Sequence, residues 1–285
     1  RVAADKESKS LFKFIHDLPK KAVDNGEISS ELTKMGIPWE VETPEAFKIG
    51  DLGPVYGKQW RSFNGVDQIK ELVNNLKNNP YSRRHLVSAW NPSVLPDESK
   101  THAENVLAGK AVLPPCHTFF QCYMEDMTYE ERVEAFNKWA GTGIVMKAYP
   151  IHFDSEKSNA GVQAQLGLMD KVGIPTMRLS LQLYMRSCDV PVGLPFNIAC
   201  YALLTHLLAK TVKADVGELI ITFGDAHIYK DQLASVDELL QRTELPLPEL
   251  KLPDELDIFN LDVDELVNCL HGYQHAGVLP IPVSV

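Results

Sequence analysis

Leu179-Ser180-Leu181-Gln182-Leu183-Tyr184-Met185-Arg186-Ser187 is the stretch whose reading decides the fold. Apolar residues hold every second position, Leu179, Leu181, Leu183 and Met185, with Ser180, Gln182, Tyr184 and Arg186 between them. Side chains of an extended chain alternate between two faces, so the pattern predicts a half-buried strand. That strand delivers Arg186-Ser187-Cys188-Asp189 to its end. Gly193-Leu194-Pro195-Phe196-Asn197 reads as a turn. The helix Ile198 to Thr211 follows, apolar nearly all round and therefore expected to be central and buried. A further strand, Glu218 to Phe223, leads into Gly224-Asp225-Ala226-His227-Ile228-Tyr229.

Upstream, Leu113-Pro114-Pro115-Cys116-His117 precedes an apolar run, Thr118 to Met124, that reads as a second strand. Proline fixes φ and has no N–H to give a ladder, so the pair predicts a stiff approach that holds Cys116 at the mouth of a sheet. A buried cysteine beside a turn is the alternative for that residue taken alone. Gly50 to Arg61 packs glycines and a proline among aromatics. It reads as a loop that brings backbone close to a ligand, not as regular helix. Val66, Ile69, Leu72, Val73 and Leu76 fall at helical spacing, and Asn78-Asn79-Pro80 stops that helix. Arg83 and Arg84 form a basic cluster before the strand Leu86 to Trp90. Paired arginines usually face solvent, but their guanidinium forks also match phosphate oxygens.

Residues 125–177 read as an inserted helical module, with Thr128 capping a helix that runs to Ala140 and a second helix from Ser158 to Val172. The apolar, proline-bearing end, Gly277 to Val285, is expected to dock or to close over something. In the first 45 residues Leu11 to Ile15 is the strongest apolar cluster, and Trp39 is either a packing aromatic or a stacking platform. The net charge of −10 argues against nucleic-acid binding by the surface as a whole. No apolar run approaches ~20 residues, so no membrane span is expected. Five scattered cysteines without a CxxC pair suggest neither a zinc site nor a disulfide framework, and a cytoplasmic location is the default.

Taken together, the motifs GDLGPVYGKQWR (50–61), SRRHLVSAWNP (82–92), LPPCHTFFQ (113–121), LYMRSCDVPVGLPFNIACYALLTHLLA (183–209) and GDAHIYKDQL (224–233) resemble the thymidylate synthase family, in that family's order. The resemblance implies an α/β fold, with a large mixed β-sheet flanked by helices and the back of the sheet forming a homodimer interface. It implies one catalytic domain over residues 1–285, interrupted by the 125–177 module. The family's Glu-Leu-Leu-Trp-Phe helix and early phosphate-loop arginine are not found, so an N-terminal part of the family is expected to be missing.

For function, the resemblance implies a methyltransferase that uses dUMP and 5,10-methylenetetrahydrofolate as co-substrate, and no metal. Cys116 matches the nucleophile that adds to C6 of the uracil ring. A free thiol titrates near ~8.5, so such a residue needs positive charge nearby. Arg186 matches the phosphate-binding arginine beside the thiol, and Ser187 a second phosphate ligand. Arg83 and Arg84 match the pair that reaches the partner subunit's phosphate. Asn197 matches the side chain that reads the pyrimidine edge, and His227 and Tyr229 the holders of the sugar hydroxyl. Asp189 matches an aspartate at the boundary of nucleotide and folate, and Tyr56 a tyrosine that manages the C5 proton through water. Trp39 matches a folate-stacking tryptophan, and Val285 the end of a tail that closes over the folate. Two alternatives stand beside dTMP formation: a dUMP hydroxymethylase that admits water to the same site, and a non-catalytic nucleotide-binding homologue.

Overall fold

The computed structural model describes residues 51–149 and 156–283, and the architecture is that of the unit Leu52–Val285. Trp39, Val285, the Leu11–Ile15 cluster and the rest of the first 50 residues lie outside the described residues.

A four-stranded sheet organises this unit, in the order β1 (Leu86–Ser88), β2 (His117–Asp126), β3 (Met177–Asp189) and β4 (Asp215–His227). The pairs β1–β2 and β2–β3 are antiparallel, whereas β3–β4 is parallel, so the sheet is mixed. The helices of the unit are α1 (Tyr56–Arg61), α2 (Gln68–Asn78), α3 (His102–Leu107), α4 (Tyr129–Ala140), α5 (Glu156–Lys171), α6 (Gly193–Val212), α7 (Leu233–Leu240) and α8 (Val263–Asn268). A parallel pair needs a crossover, and α6 supplies it between β3 and β4. The fold is therefore α/β with a mixed sheet and flanking helices.

The alternation in β3 partitions as its spacing predicts. Leu179, Leu181 and Leu183 are fully buried and Met185 nearly so, against Phe120, Cys122 and Met124 of β2. Ile69, Leu72, Val73 and Leu76 of α2 and Tyr201, Leu208 and Ala209 of α6 close that core on one face. The other face carries Phe119, Tyr123, Tyr184 and Ile220, with the Phe119 and Tyr184 rings stacked at 5.6 Å.

Three boundaries differ from the sequence reading. α2 starts later than Val66, because Asp67 caps it by accepting from the Lys70 N–H at 3.0 Å. Gly193 to Asn197 is the first turn of α6, not a separate turn. Proline is tolerated there because the N–H it lacks has no intrahelical acceptor in a first turn. Nor is α6 buried all round: Phe196 is 71% exposed and Ile198 46%, and burial sets in at Tyr201. The glycine-rich segment does hold a helix, α1, beyond Pro54. Of its described glycines, Gly53 is the one the backbone demands: its φ is +69° and a Cβ there would collide with the Lys110 carbonyl oxygen, whereas a Cβ at Gly57 would meet nothing.

Between β2 and β3, helices α4 and α5 build a core of their own from Val133, Phe136, Met169 and Ile174. Thr128 and Glu131 form a capping box on α4. At the root of the excursion Arg178 bridges Glu125, at 2.6 Å, and Glu131. Near the C-terminus the tail is docked: Ser235 Oγ donates to the Pro280 carbonyl at 2.9 Å, and Arg242 donates to the carbonyls of Gly277 and Val278. Among the described residues no helix is long and apolar enough to cross a membrane.

Candidate active site

The diprolyl segment and the end of β3 meet at the sheet mouth. Arg186 Nε donates to the Pro115 carbonyl at 2.9 Å, and Nη2 donates to the Pro114 carbonyl at 2.9 Å. The same Nη2 lies 3.8 Å from Cys116 Sγ, and the Arg186 backbone N–H donates to the Cys116 carbonyl at 2.9 Å. A planar fork spanning successive carbonyls is a geometry that lysine cannot reproduce. It fixes a permanent cation beside the sulfur. Trp90 lies under the guanidinium, 5.9 Å from its ring centroid. Cys122, six residues further along the chain on β2, is a different kind of thiol: burial pushes it up to about 12, so it does not compete as a nucleophile.

Tyr56, from α1, accepts a hydrogen bond from the Cys116 N–H at 2.9 Å. Burial raises its pKa and keeps the phenol neutral. Its ring lies 4.6 Å from that of His117. Asn197 Nδ2 is 2.9 Å from His117 Nε2, and Tyr201 Oη is 3.3 Å from Nδ1. With the amide donating, the neutral imidazole accepts at Nε2 and carries its proton on Nδ1. The first turn of α6 therefore brings Asn197 to within one residue of Cys116.

Burial lowers the His117 pKa from 6.5 to about 4. An unfolded chain thus binds the proton first, and acid favours unfolding. Stability is expected to be flat above pH 6.5 on this account and to fall as the pH drops from 6.5 to about 4. Urea denaturation across that window checks it: a His117→Gln chain should lose less stability on acidification than the parent. Equal losses would refute a neutral, half-buried His117.

A second cluster gathers at the last residues of β3 and β4. Asp189 pairs with His227 across the strands, and the Val190 N–H donates to the His227 carbonyl at 3.0 Å. The rings of His227 and Tyr229 meet edge to face at 5.0 Å. Asp189 Oδ1 accepts from the Val192 N–H at 3.2 Å, and Oδ2 accepts from Gln232 Nε2 at 3.0 Å. Ser187 is half-buried on β3, opposite Asp225.

Arg83 and Arg84 stand apart from both clusters. Both are exposed, ahead of β1, and the Arg83 carbonyl accepts from Gln121 Nε2 at 3.0 Å. Gln121 lies five residues along β2 from Cys116, ~17 Å at strand rise. Within one chain, then, the pair is not brought to Cys116. Sequence reasoning missed His117, Tyr201 and Gln232. His117 could have been suspected from its place next to Cys116; no spacing signals the other two. Among the described residues no group of three or more His, Cys, Asp or Glu side chains could hold a metal ion.

A held thiol beside a fixed cation, with an amide and a tyrosine on its flanks, suits nucleophilic addition to a polar ring. Comparison with known proteins identifies the lineage. The family model described as thymidylate synthase matches residues 23–285. A thymidylate synthase of Francisella philomiragia is 39% identical over 243 residues, 84% of this chain and 70% of that protein. Thymidylate synthases of Francisella tularensis subsp. holarctica are 38% identical over 239 residues, 83% of this chain and 68% of theirs. With the match extending over nearly the whole chain, the protein belongs to the thymidylate synthase family.

Proposed function

We propose that the chain transfers a one-carbon unit from 5,10-methylenetetrahydrofolate to C5 of dUMP, giving dTMP and dihydrofolate. The observation that carries this reading is the Cys116–Arg186 pair, a thiol 3.8 Å from a guanidinium locked onto the two preceding carbonyls. Cys116 Sγ adds as thiolate to C6 of the uracil ring, and the electron pair moves to C5 and O4. C5 then attacks the methylene carbon of the co-substrate. The C5 proton is lost through water near Tyr56. Departure of tetrahydrofolate leaves an exocyclic methylene. Hydride from tetrahydrofolate reduces it as the thiolate is expelled from C6, and the electrons balance with dihydrofolate as the oxidised product.

Arg186 serves the thiolate and the phosphate together, with Ser187 as a second phosphate ligand. Asp189 stands between nucleotide and folate, and His227 and Tyr229 hold the sugar. Arg83 and Arg84 complete the phosphate site of a partner subunit; their exposure, their distance along β2 from Cys116 and the aromatic sheet face beside them support a homodimer built on that face. Residues 125–177 are a helical insert in a single catalytic domain, a reading supported by the separate core of α4 and α5. Trp39 stacks on the folate and Val285 ends the closing tail.

Incubation with dUMP and methylenetetrahydrofolate tests the proposal. dTMP with dihydrofolate is expected, and a covalent Cys116 adduct with 5-fluoro-dUMP plus folate. Formation of 5-hydroxymethyl-dUMP with tetrahydrofolate would replace hydride transfer by water attack, and absence of the adduct would favour a non-catalytic homologue.

Asn197 reads the ring edge, with Oδ1 accepting from N3–H and Nδ2 donating to O4. His117 accepts the remaining Nδ2 hydrogen, so the amide is held in that orientation. Asn197→Asp removes both donations and places a carboxylate against an accepting imidazole nitrogen. We expect relative use of dCMP over dUMP to rise by about tenfold or more, the scale of one exchanged hydrogen bond to a charged group. Competition assays with the two nucleotides check it, and an unchanged ratio would remove the assignment of Asn197.

A further inference from the structure

Gln232 ends a short 3-10 turn, Lys230–Gln232, and is fully buried. Its amide makes three hydrogen bonds. Oε1 accepts from the Tyr229 N–H at 2.9 Å, and Nε2 donates to Asp189 Oδ2 at 3.0 Å and to the Pro282 carbonyl at 3.0 Å. An amide has two N–H donors, and here each goes to a different part of the protein. The acceptors lie 43 and 50 residues away in sequence. The Pro282 bond is also the last of the tail's pins, beyond those at Gly277, Val278 and Pro280. Around it, Leu279 and Ile281 are half-buried, whereas Val278 and Val283 are 88% and 76% exposed.

We infer that Gln232 is a positioning residue that couples the seating of the C-terminal tail to the nucleotide side of the site, through Asp189 and Tyr229. The inference rests on the reading of Asp189 and Tyr229 as nucleotide-site residues. A fully satisfied buried amide has little freedom, so displacing one acceptor leaves a buried donor unpaired. Moving Asp189 toward a ligand therefore strains the Pro282 bond, and seating the tail holds Asp189 in place. Such coupling is reciprocal.

Two variants separate the bonds. Gln232→Glu keeps the volume and the acceptor for Tyr229 but deletes both donations. Gln232→Met keeps the apolar volume and deletes all three bonds. Methyl NMR of ligand-free protein, labelled at isoleucine and leucine, reads the tail without reference to activity. In both variants the Ile281 and Leu279 methyl signals are expected to narrow and move to random-coil shifts. Asp189→Ala, which does not touch the tail, is expected to shift the same signals in the same direction.

In steady-state assays the variants should raise KM for methylenetetrahydrofolate by about tenfold, and dUMP, which shifts the Ile281 and Leu279 signals of the parent, should no longer shift those of the variants. A merely structural residue would leave the response of the tail signals to dUMP in place. Unmoved tail signals in the Gln232 variants overturn the inference, as do unmoved signals in Asp189→Ala. If thermal melting shows that the Gln232 variants do not fold, the Asp189→Ala spectrum alone decides. Should the parent chain make no dTMP, the function fails, whereas the tail spectra still decide the coupling.

Discussion

Replacing Cys116 with alanine is expected to stop dTMP formation while dUMP still binds. Loss of a covalent nucleophile typically removes several orders of magnitude from kcat, here about 10⁴-fold or more, because no other group can carry the C6 adduct. Cys122 cannot substitute: it is fully buried on the core face of β2, and burial holds its thiol up at about 12. The phosphate, sugar and ring contacts proposed for Arg186, Ser187, His227, Tyr229 and Asn197 remain in the variant. Calorimetric titration with dUMP should thus give an affinity near that of the parent. Product chromatography after long incubation checks the chemistry, and turnover at the parental rate would end the proposed mechanism.

The second large effect is expected at Arg186, even for the conservative change to lysine. The guanidinium holds the carbonyls of Pro114 and Pro115 with two different nitrogens while keeping one of them 3.8 Å from Sγ. An ammonium has the charge but not the fork, so it can serve the carbonyls or the sulfur and not all three. Arg186→Lys is expected to lose about 10²–10³-fold in kcat/KM for dUMP, with the diprolyl segment less firmly held. A second measurement separates the two jobs of this residue. Alkylation of Cys116 by a small neutral reagent needs no phosphate site, and its rate should fall in the variant. An unchanged alkylation rate with weakened dUMP binding would leave Arg186 as a phosphate ligand only.

Much of this arrangement could be read from the chain. The period of two from Leu179 to Met185 reported a buried face because β3 lies in the middle of the sheet, with helices over one side only. Thr128 announced its helix because a cap is a local hydrogen bond between neighbours in sequence. The start of α6 was misread for a physical reason: Gly193 and Pro195 interrupt helices in their interiors but are compatible with a first turn. The glycine-rich stretch differs likewise, since of its described glycines Gly53 has the positive φ and α1 begins beyond it. Motif order pointed to Cys116, Arg186 and Asn197, which the fold brings close together around the diprolyl segment. His117 and Gln232 were missed because their roles come from partners brought close only by the sheet: Asn197 lies 80 residues from His117, and Pro282 lies 50 from Gln232.

The excursion between β2 and β3 has a consequence for how the protein folds. Asp126 and Met177 are direct partners in the ladder, yet about fifty residues separate them. A slack loop of that length would cost about 2 kcal/mol more to close than a four-residue hairpin, since closure entropy grows with the logarithm of length. The small core of Val133, Phe136, Met169 and Ile174 changes that comparison. Once α4 and α5 have packed, the excursion behaves as a short connector whose two ends Arg178 already holds at Glu125 and Glu131. The pairing that sets Cys116 beside Arg186 is then closed from its far end like a zip with its slider attached, and changes within the excursion reach the site only if they loosen that root.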